Sequence, residues 1–320
     1  MTEATTEANR LATVFGGSGF LGRYIVRALA RKGWRIRVAV RRPDLADFLR
    51  PLGGVGQIQP VQANVRFPDS IAAALEGASA AVNATGVRAE SGAQTYTAVH
   101  VEGAHALARA AKSAGVATYV HVSGIGADPK SSSPYIASKG LGEQATRDTF
   151  PDAIVMRPSV VFGPEDQFFN RFAAMAMVSP MLPLIGGGHT RFQPVYVGDV
   201  ADAVLKCLDD PATAGRLYEL GGPKIYTFRE LVELLLAEIR RKRLLIDLPF
   251  GLAAFQARLM SILPSPPLTP DQVELLKRDN VVTSGAMTLA ALDIAPTAVE
   301  AIVPTYLDRF RRGGWYDRRA

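Results

Sequence analysis

The chain reads as an α/β protein, a doubly wound parallel sheet with a smaller C-terminal α/β lobe. Three observations predict this. Residues 12–22 form an apolar run, a glycine-rich turn and the start of a helical pattern. Apolar strand-like runs then alternate with helix-like segments through the first half. With 48% hydrophobic content over 320 residues and a mean hydropathy of +0.10, the chain can bury one large domain and a second lobe. Repeated βα units require parallel strands joined by crossovers.

In order, the strands are expected to include Ala12 to Phe15, then Val38 to Val40, Ile58 to Val61, Ala80 to Val82 and Thr118 to Val122. Helices are expected over Tyr24 to Lys32, Pro43 to Arg50, Asp69 to Leu75 and Thr95 to Ala114, two of them with a proline or Asp/Ser start signal. Residues 1–10 read as a disordered tail, 11–214 as the dinucleotide-binding domain, and 215–320 as the second lobe, to which part of 158–192 contributes. The proline-rich stretch from Pro264 to Pro270 is the clearest break, and it separates two helical segments of that lobe.

Gly16, Gly19 and Gly22 stand three apart between strand and helix. The first suits a tight turn, the second lets backbone amides approach a pyrophosphate, and the third allows close helix–strand packing. Gly16, Ser18, Gly19, Phe20, Leu21 and Gly22 are therefore the expected phosphate-binding residues, with the anion on the helix N-terminus. Beyond the second strand a carboxylate would favour NAD(H) and a basic residue would accommodate a 2′-phosphate. Arg41 and Arg42 stand there, so NADP(H) is preferred over NAD(H). Asn64 and Val65, after the third strand, are expected to line the adenine. Ala84, Thr85 and Gly86, after the fourth, are expected to run past the pyrophosphate and ribose.

Net charge of +6 and a pI near 9.5 suit an anionic cofactor, anionic lipid or nucleic acid, but no nucleic-acid motif accompanies them. The one cysteine, Cys207, lies in a helical pattern and reads as core. The acidic, Thr-rich start fits neither a secretory signal nor a transit peptide, and no apolar run reaches spanning length, so a cytoplasmic location is expected. His100, His105, His121 and His189 show no metal-ligand spacing and read as core or surface residues; no metal site is expected.

The chemistry-bearing residues are Ser123, just past the fifth strand, and the run Tyr135-Ile136-Ala137-Ser138-Lys139. Tyr and Lys four apart share one helix face, so the ammonium can reach a cofactor ribose and lower the phenol's pKa from its usual value near 10. Ser123 can hold a substrate oxygen beside that phenol while hydride moves to or from a nicotinamide.

These residues resemble the short-chain dehydrogenase/reductases, in the extended or atypical branch that holds epimerases and dehydratases. The likeness runs from Leu11 to about Phe228 and implies a Rossmann fold. Residues 157–164, Arg-Pro-Ser-Val-Val-Phe-Gly-Pro, are similar to the family's strand and loop over the nicotinamide, which implies cofactor contacts for Pro158 and Val161. Residues 195–201 look like its strand-to-helix signature, with Asp199 as a helix N-cap. Residues 14–24, 121–123, 131–135, 147–151 and 193–197 resemble more narrowly the NADPH-binding accessory subunits of respiratory complex I and their bacterial relatives. That likeness implies a dinucleotide held as a structural element, with complex I or another hydrophobic partner. It fades after about Leu231. The intact Ser123, Tyr135 and Lys139 keep open the alternative of an active oxidoreductase or epimerase.

Tyr226 to Ile239 reads as an amphipathic helix ending in Arg240-Arg241-Lys242-Arg243, cations that suit a helix C-terminus. Leu244 to Leu263 follows, too interrupted to span a bilayer. A basic cluster beside an apolar, Phe-containing segment suits either a membrane surface through 240–263, at the inner face of a bacterial inner membrane, or a hydrophobic partner; the alternative is a buried lobe helix flanked by solvated charges.

Overall fold

The computed structural model describes residues 10–260 and 268–311. In chain order the first half runs β1 (Leu11–Phe15), α1 (Phe20–Arg31), β2 (Arg35–Val40), β3 (Ile58–Gln62), α2 (Pro68–Leu75), β4 (Ala80–Asn83), α3 (Gly103–Ser113), β5 (Thr118–Val122), α4 (Pro134–Thr149) and β6 (Ile154–Pro158). Then follow β7 (Val161–Phe162), α5 (Phe169–Val178), β8 (Met181–Ile185), β9 (Arg191–Phe192), β10 (Val195–Tyr196), α6 (Val197–Asp209) and β11 (Leu217–Leu220). The chain continues with β12 (Tyr226–Thr227), α7 (Phe228–Glu238), β13 (Leu244–Leu248), α8 (Phe250–Met260), α9 (Pro270–Leu275) and α10 (Val299–Leu307).

Seven strands make one parallel sheet in the order β11-β6-β5-β4-β1-β2-β3. The order reverses between β1 and β4, where a doubly wound sheet opens a crevice beyond the carboxyl ends of its strands. Strands buried on both faces read as continuous apolar runs, and β4 is buried at all four positions. One face packs Phe15, Ile71, Leu75, Leu107 and Tyr119 into a single cluster.

The chain forms two compact units that interleave in sequence. The first takes the described part of Met1–Pro158 with Gly198–Leu220 and Gly285–Ile294; the second takes Ser159–Val197, Gly221–Ser284 and the described part of Ala295–Ala320. Within the first unit β11 completes the sheet and Tyr218 bridges Met287. The second unit holds three two-stranded sheets, β7 with β10, β8 with β13 and β9 with β12. Its core is aromatic, with Phe162, Phe169, Phe192 and Phe228 buried together.

Several local expectations are corrected. The helix expected over Pro43 to Arg50 is of the 3-10 kind and runs over Pro43–Leu52, with Pro51 inside it. Residues Thr97–Glu102 are a π-helical turn that runs into α3. The described end of the tail, Arg10, is tied down: it pairs with Asp209 and lies 3.9 Å over the Trp34 ring. Residues 1–9 lie outside the described residues. Asp199 is the third residue of α6 and buried in its first turn, not its cap. Helix α7 starts at Phe228 because Thr227 and Glu230 form a reciprocal capping box, which leaves Tyr226 to a strand. Residues 244–260 divide into β13 and α8, and 261–267, with most of the proline-rich break, lie outside the described residues. Among the described residues no helix is long and apolar enough to cross a membrane.

Two glycines give a paired test of this packing. A Cβ on Gly142 would stand 2.0 Å from the carbonyl oxygen of His100, so α4 touches the π-helical turn backbone to backbone, whereas a Cβ on Gly251 in α8 meets nothing within 4 Å. Gly142→Ala is expected to destabilise by about 1–3 kcal/mol through overpacking. Gly251→Ala is expected to stabilise by up to about 0.5–1 kcal/mol through lost backbone freedom in the unfolded chain. Urea titrations of both variants check the contrast.

Candidate functional site

The glycine turn after β1 lies flush against the loop after β4. Gly16 has a φ of +75°, and a Cβ there would sit 2.8 Å from the Ala84 carbonyl oxygen and 3.1 Å from the Thr85 nitrogen. Its amide donates to the Ala39 carbonyl at 3.1 Å, which ties the turn to β2 as well. A Cβ on Gly22 would fall 2.2 Å from the Gly16 carbonyl oxygen, so α1 can seat on the turn only without a side chain there. Gly19 is the N-cap residue of α1; no side chain caps this end and no acid stands in its first turn. Phe20, Leu21 and Gly22 thus begin a helix whose first amides are left for an anion, and Gly19 itself is exposed. Ser18, partly buried, gives its carbonyl to Arg23 Nη2 at 3.3 Å.

Loop 84–87 is held from beneath by two buried histidines. The Asn83 amide donates to His121 Nδ1 at 3.1 Å, while its oxygen accepts from the Thr85 amide at 3.1 Å and the Thr85 hydroxyl at 2.5 Å. His100 Nε2 accepts the Val87 amide at 3.0 Å, so Nδ1 carries the ring proton and donates to Ser138 Oγ at 2.9 Å. Ser138 in turn donates to the Tyr135 carbonyl at 2.7 Å. Burial, with the Lys139 charge second, lowers the pKa of both histidines to about 3, so the rings are neutral as these bonds require. The chain of bonds joins loop 84–87, the π-helical turn and α4.

Helix α4 brings Tyr135 and Lys139 to the same place. A Cβ on Gly86 would lie 3.6 Å from both Lys139 Nζ and His100 Nε2. Lys139 is 9% exposed, and burial lowers its pKa to about 8 against the opposing pull of Glu143, one turn along the helix. Glu143 itself makes a forked pair with Arg157 at 2.6–3.1 Å, and Glu219 stands 3.6 Å from the same guanidinium. The Tyr135 ring packs edge-on against Tyr96 and His100, each at 5.6 Å. Its phenol pKa is raised by burial, and the charge that opposes this is Arg88. Ser123 is 6% exposed, and its buried Oγ has no hydrogen-bond partner among the described residues.

The remaining expected residues divide. Arg41 and Arg42 follow β2 and are exposed, with Arg42 Nη2 3.2 Å from Asp44. Asn64 Oδ1 accepts the Arg66 amide at 3.2 Å within its own turn, and the Val65 side chain is buried beneath Gly103. Pro158 ends β6, and its carbonyl accepts the Ile125 amide at 3.1 Å. Val161 belongs to the second unit, in β7, opposite Val195 of β10. Among the described residues no three His, Cys, Asp or Glu side chains could hold a metal. His100, Ser138 and Arg88 were not legible as site residues. His100 sits in a run that reads as one continuous helix, and its partners at 87 and 138 come from other elements.

A family model for NAD dependent epimerases and dehydratases matches residues 12–221. Subunit 9 of the mitochondrial NADH dehydrogenase (ubiquinone) 1 alpha subcomplex of Arabidopsis thaliana is 36% identical over 95% of this chain and 79% of its own length. The ceramide reductase of Caulobacter vibrioides is 32% identical over 76% of this chain and 75% of its own. A dTDP-glucose 4,6-dehydratase of Streptomyces venezuelae, solved with NAD bound, superposes with a TM-score of 0.71 at 22% identity over 94% of this chain and 96% of its own, a likeness of fold. The glycine turn packed on the β4 loop, the parallel sheet reversing between β1 and β4, and the match across two thirds of the sequence lead to one conclusion: the chain belongs to the NAD dependent epimerase/dehydratase family.

Proposed function

We propose that this protein holds NADP(H) as a structural element beside the turn at Gly16–Gly22, and that it does so as part of, or docked on, a complex I-like assembly or another hydrophobic partner. The observation that carries the reading is the close approach of Gly16 to Ala84 and Thr85, beside an α1 N-terminus with no capping side chain and no acid. The residues fit the group: α1 starts with no capping side chain and no acid, so its first amides are open to an anion. Arg41 and Arg42 are the cations for a 2′-phosphate, and Lys139 is the donor for a ribose. Among the relatives, the Arabidopsis protein is named as a subunit of the mitochondrial NADH dehydrogenase (ubiquinone) 1 alpha subcomplex, which supports the partner.

An active oxidoreductase or epimerase is the second reading, and the unpaired, buried Ser123 Oγ favours it, because a buried hydroxyl without a partner suggests that a ligand completes it. The relative named as a ceramide reductase supports it too. A bound nicotinamide would supply hydride transfer. Ser123 would hold the substrate oxygen and Tyr135 would exchange a proton with it.

Replacing Arg41 and Arg42 with serine is expected to weaken NADPH by about 1–3 kcal/mol, as for charge-assisted hydrogen bonds, and to leave NADH nearly unchanged. Calorimetric titration with both dinucleotides reads this, and equal losses would remove the arginines from the 2′-phosphate. Tyr135→Phe separates the readings: a holder keeps its NADPH-dependent gain in melting temperature and loses nothing, whereas an enzyme loses most turnover. Lys139→Met is expected to reduce that gain under both.

Lys139 also sets a pH dependence. Its pKa in the dinucleotide-free protein is lowered to about 8, and a ribose that accepts from the ammonium raises it again. Affinity for NADPH is then flat below pH 8 and falls above it, by up to about tenfold per pH unit until the bound-state pKa is passed. Titrations across that range check the sign, and Lys139→Met should flatten the profile.

A further inference from the structure

Helix α8 carries its apolar pattern outwards. Ala253 and Ala257, four apart, are fully buried against Ile185 and Val273, whereas Leu252, Phe255 and Leu259 on the other side are 49%, 67% and 65% exposed. A helix that packs its small residues inwards and presents its large ones to solvent is the reverse of a surface helix in a soluble protein. The strand that leads to it also exposes apolar side chains, with Leu244 64% and Ile246 38% exposed in β13 and Met181 46% exposed in its partner β8.

Cations border this surface, and carboxylates are nearly absent from it. Residues 240–260 hold Arg240, Arg241, Lys242, Arg243 and Arg258 against one acid, Asp247, which pairs with Arg229. Two arginines are anchored to the body of the unit, Arg241 Nε on the Phe310 carbonyl at 3.1 Å and Arg243 Nε on the Ala176 carbonyl at 2.7 Å. Arg240 and Lys242 alternate with them and are exposed. Arg240 also holds a left-handed backbone, φ 54°, just past the C-cap residue Ile239 of α7, where glycine is the residue without steric cost. An arginine at this position adds charge at the expense of local strain.

We propose that residues 240–260 form a docking surface for an anionic phospholipid bilayer. Leu252, Phe255 and Leu259, with Leu244 and Ile246, enter the acyl boundary, and Arg240 and Lys242 engage the phosphates. The charge decides the occupant: a lipid surface offers apolar depth rimmed by phosphate, which matches an exposed apolar face bordered by cations with its one acid already paired. The surface lies wholly in the second unit, so it stands or falls independently of the dinucleotide site.

The test is flotation of the full chain with vesicles of equal parts phosphatidylglycerol and phosphatidylcholine, against phosphatidylcholine alone. Binding is expected to need phosphatidylglycerol, to weaken with added salt, to fall roughly fivefold for each of Arg240 and Lys242 removed, and to fall by roughly tenfold or more in Phe255→Ala. Arg240→Gly is the discriminating variant. A left-handed glycine should leave thermal stability equal or higher, so weaker vesicle binding in this variant reports the lost charge and not lost folding. Three results would overturn the proposal: no flotation of the unaltered chain with phosphatidylglycerol, binding to phosphatidylcholine that ignores salt, or a self-association that Phe255→Ala abolishes while lipid binding is absent.

Discussion

The constraint on which the dinucleotide cleft depends is the absence of side chains where β1 meets β4. Gly16 approaches the Ala84 carbonyl so closely that a methyl group there would clash with backbone, and Gly22 approaches the Gly16 carbonyl more closely still. Backbone cannot yield as a flexible side chain can, so these two contacts fix the loop after β4, the turn after β1 and the start of α1 as one piece. The order of the central strands, β4 beside β1 beside β2, then sets what borders that piece on the β2 side, the arginines after β2.

A second rigid piece meets the first through α4. Gly142 lets the helix touch the His100 carbonyl, and the π-helical turn there aims the His100 ring at both the Val87 amide and Ser138. An inserted wide turn redirects side chains that a regular helix would point elsewhere. Its effect is to make a neutral histidine the link between loop 84–87 and the helix that carries Tyr135 and Lys139. The neutrality is enforced twice, by burial and by the Lys139 charge, and the same burial lowers the lysine's own pKa to about 8.

Most of the first unit was legible because its signals are local. The turn at Gly16–Gly22, the apolar strands buried on both faces and the Tyr135–Lys139 spacing each sit within a few residues of one another, and the five strands expected before residue 123 form where their apolar runs stand. What was not legible depends on contacts distant in sequence. Val65 is buried because Gly103 makes room for it, and Asn64 closes its own turn through Arg66. Asp199 has the character of a cap, but the helix begins two residues before it. The interleaving of the units was hidden for the same reason: β11 joins β6 across an intervening segment that folds elsewhere.

Helix α8 shows why composition alone could not orient the second unit. Phenylalanine, leucine and alanine surround this helix almost evenly, so its sequence permits either face to be the buried one. Area burial by itself would favour hiding Leu252, Phe255 and Leu259. The fold instead hides Ala253 and Ala257, whose small size brings the helix close to Ile185 of β8 and Val273 of α9. Close approach gains dispersion contacts along the backbone itself, and β8 is already held in register by five residue pairs with β13. The large residues are left outside by that choice, and their hydrophobic free energy becomes available to whatever surface they meet.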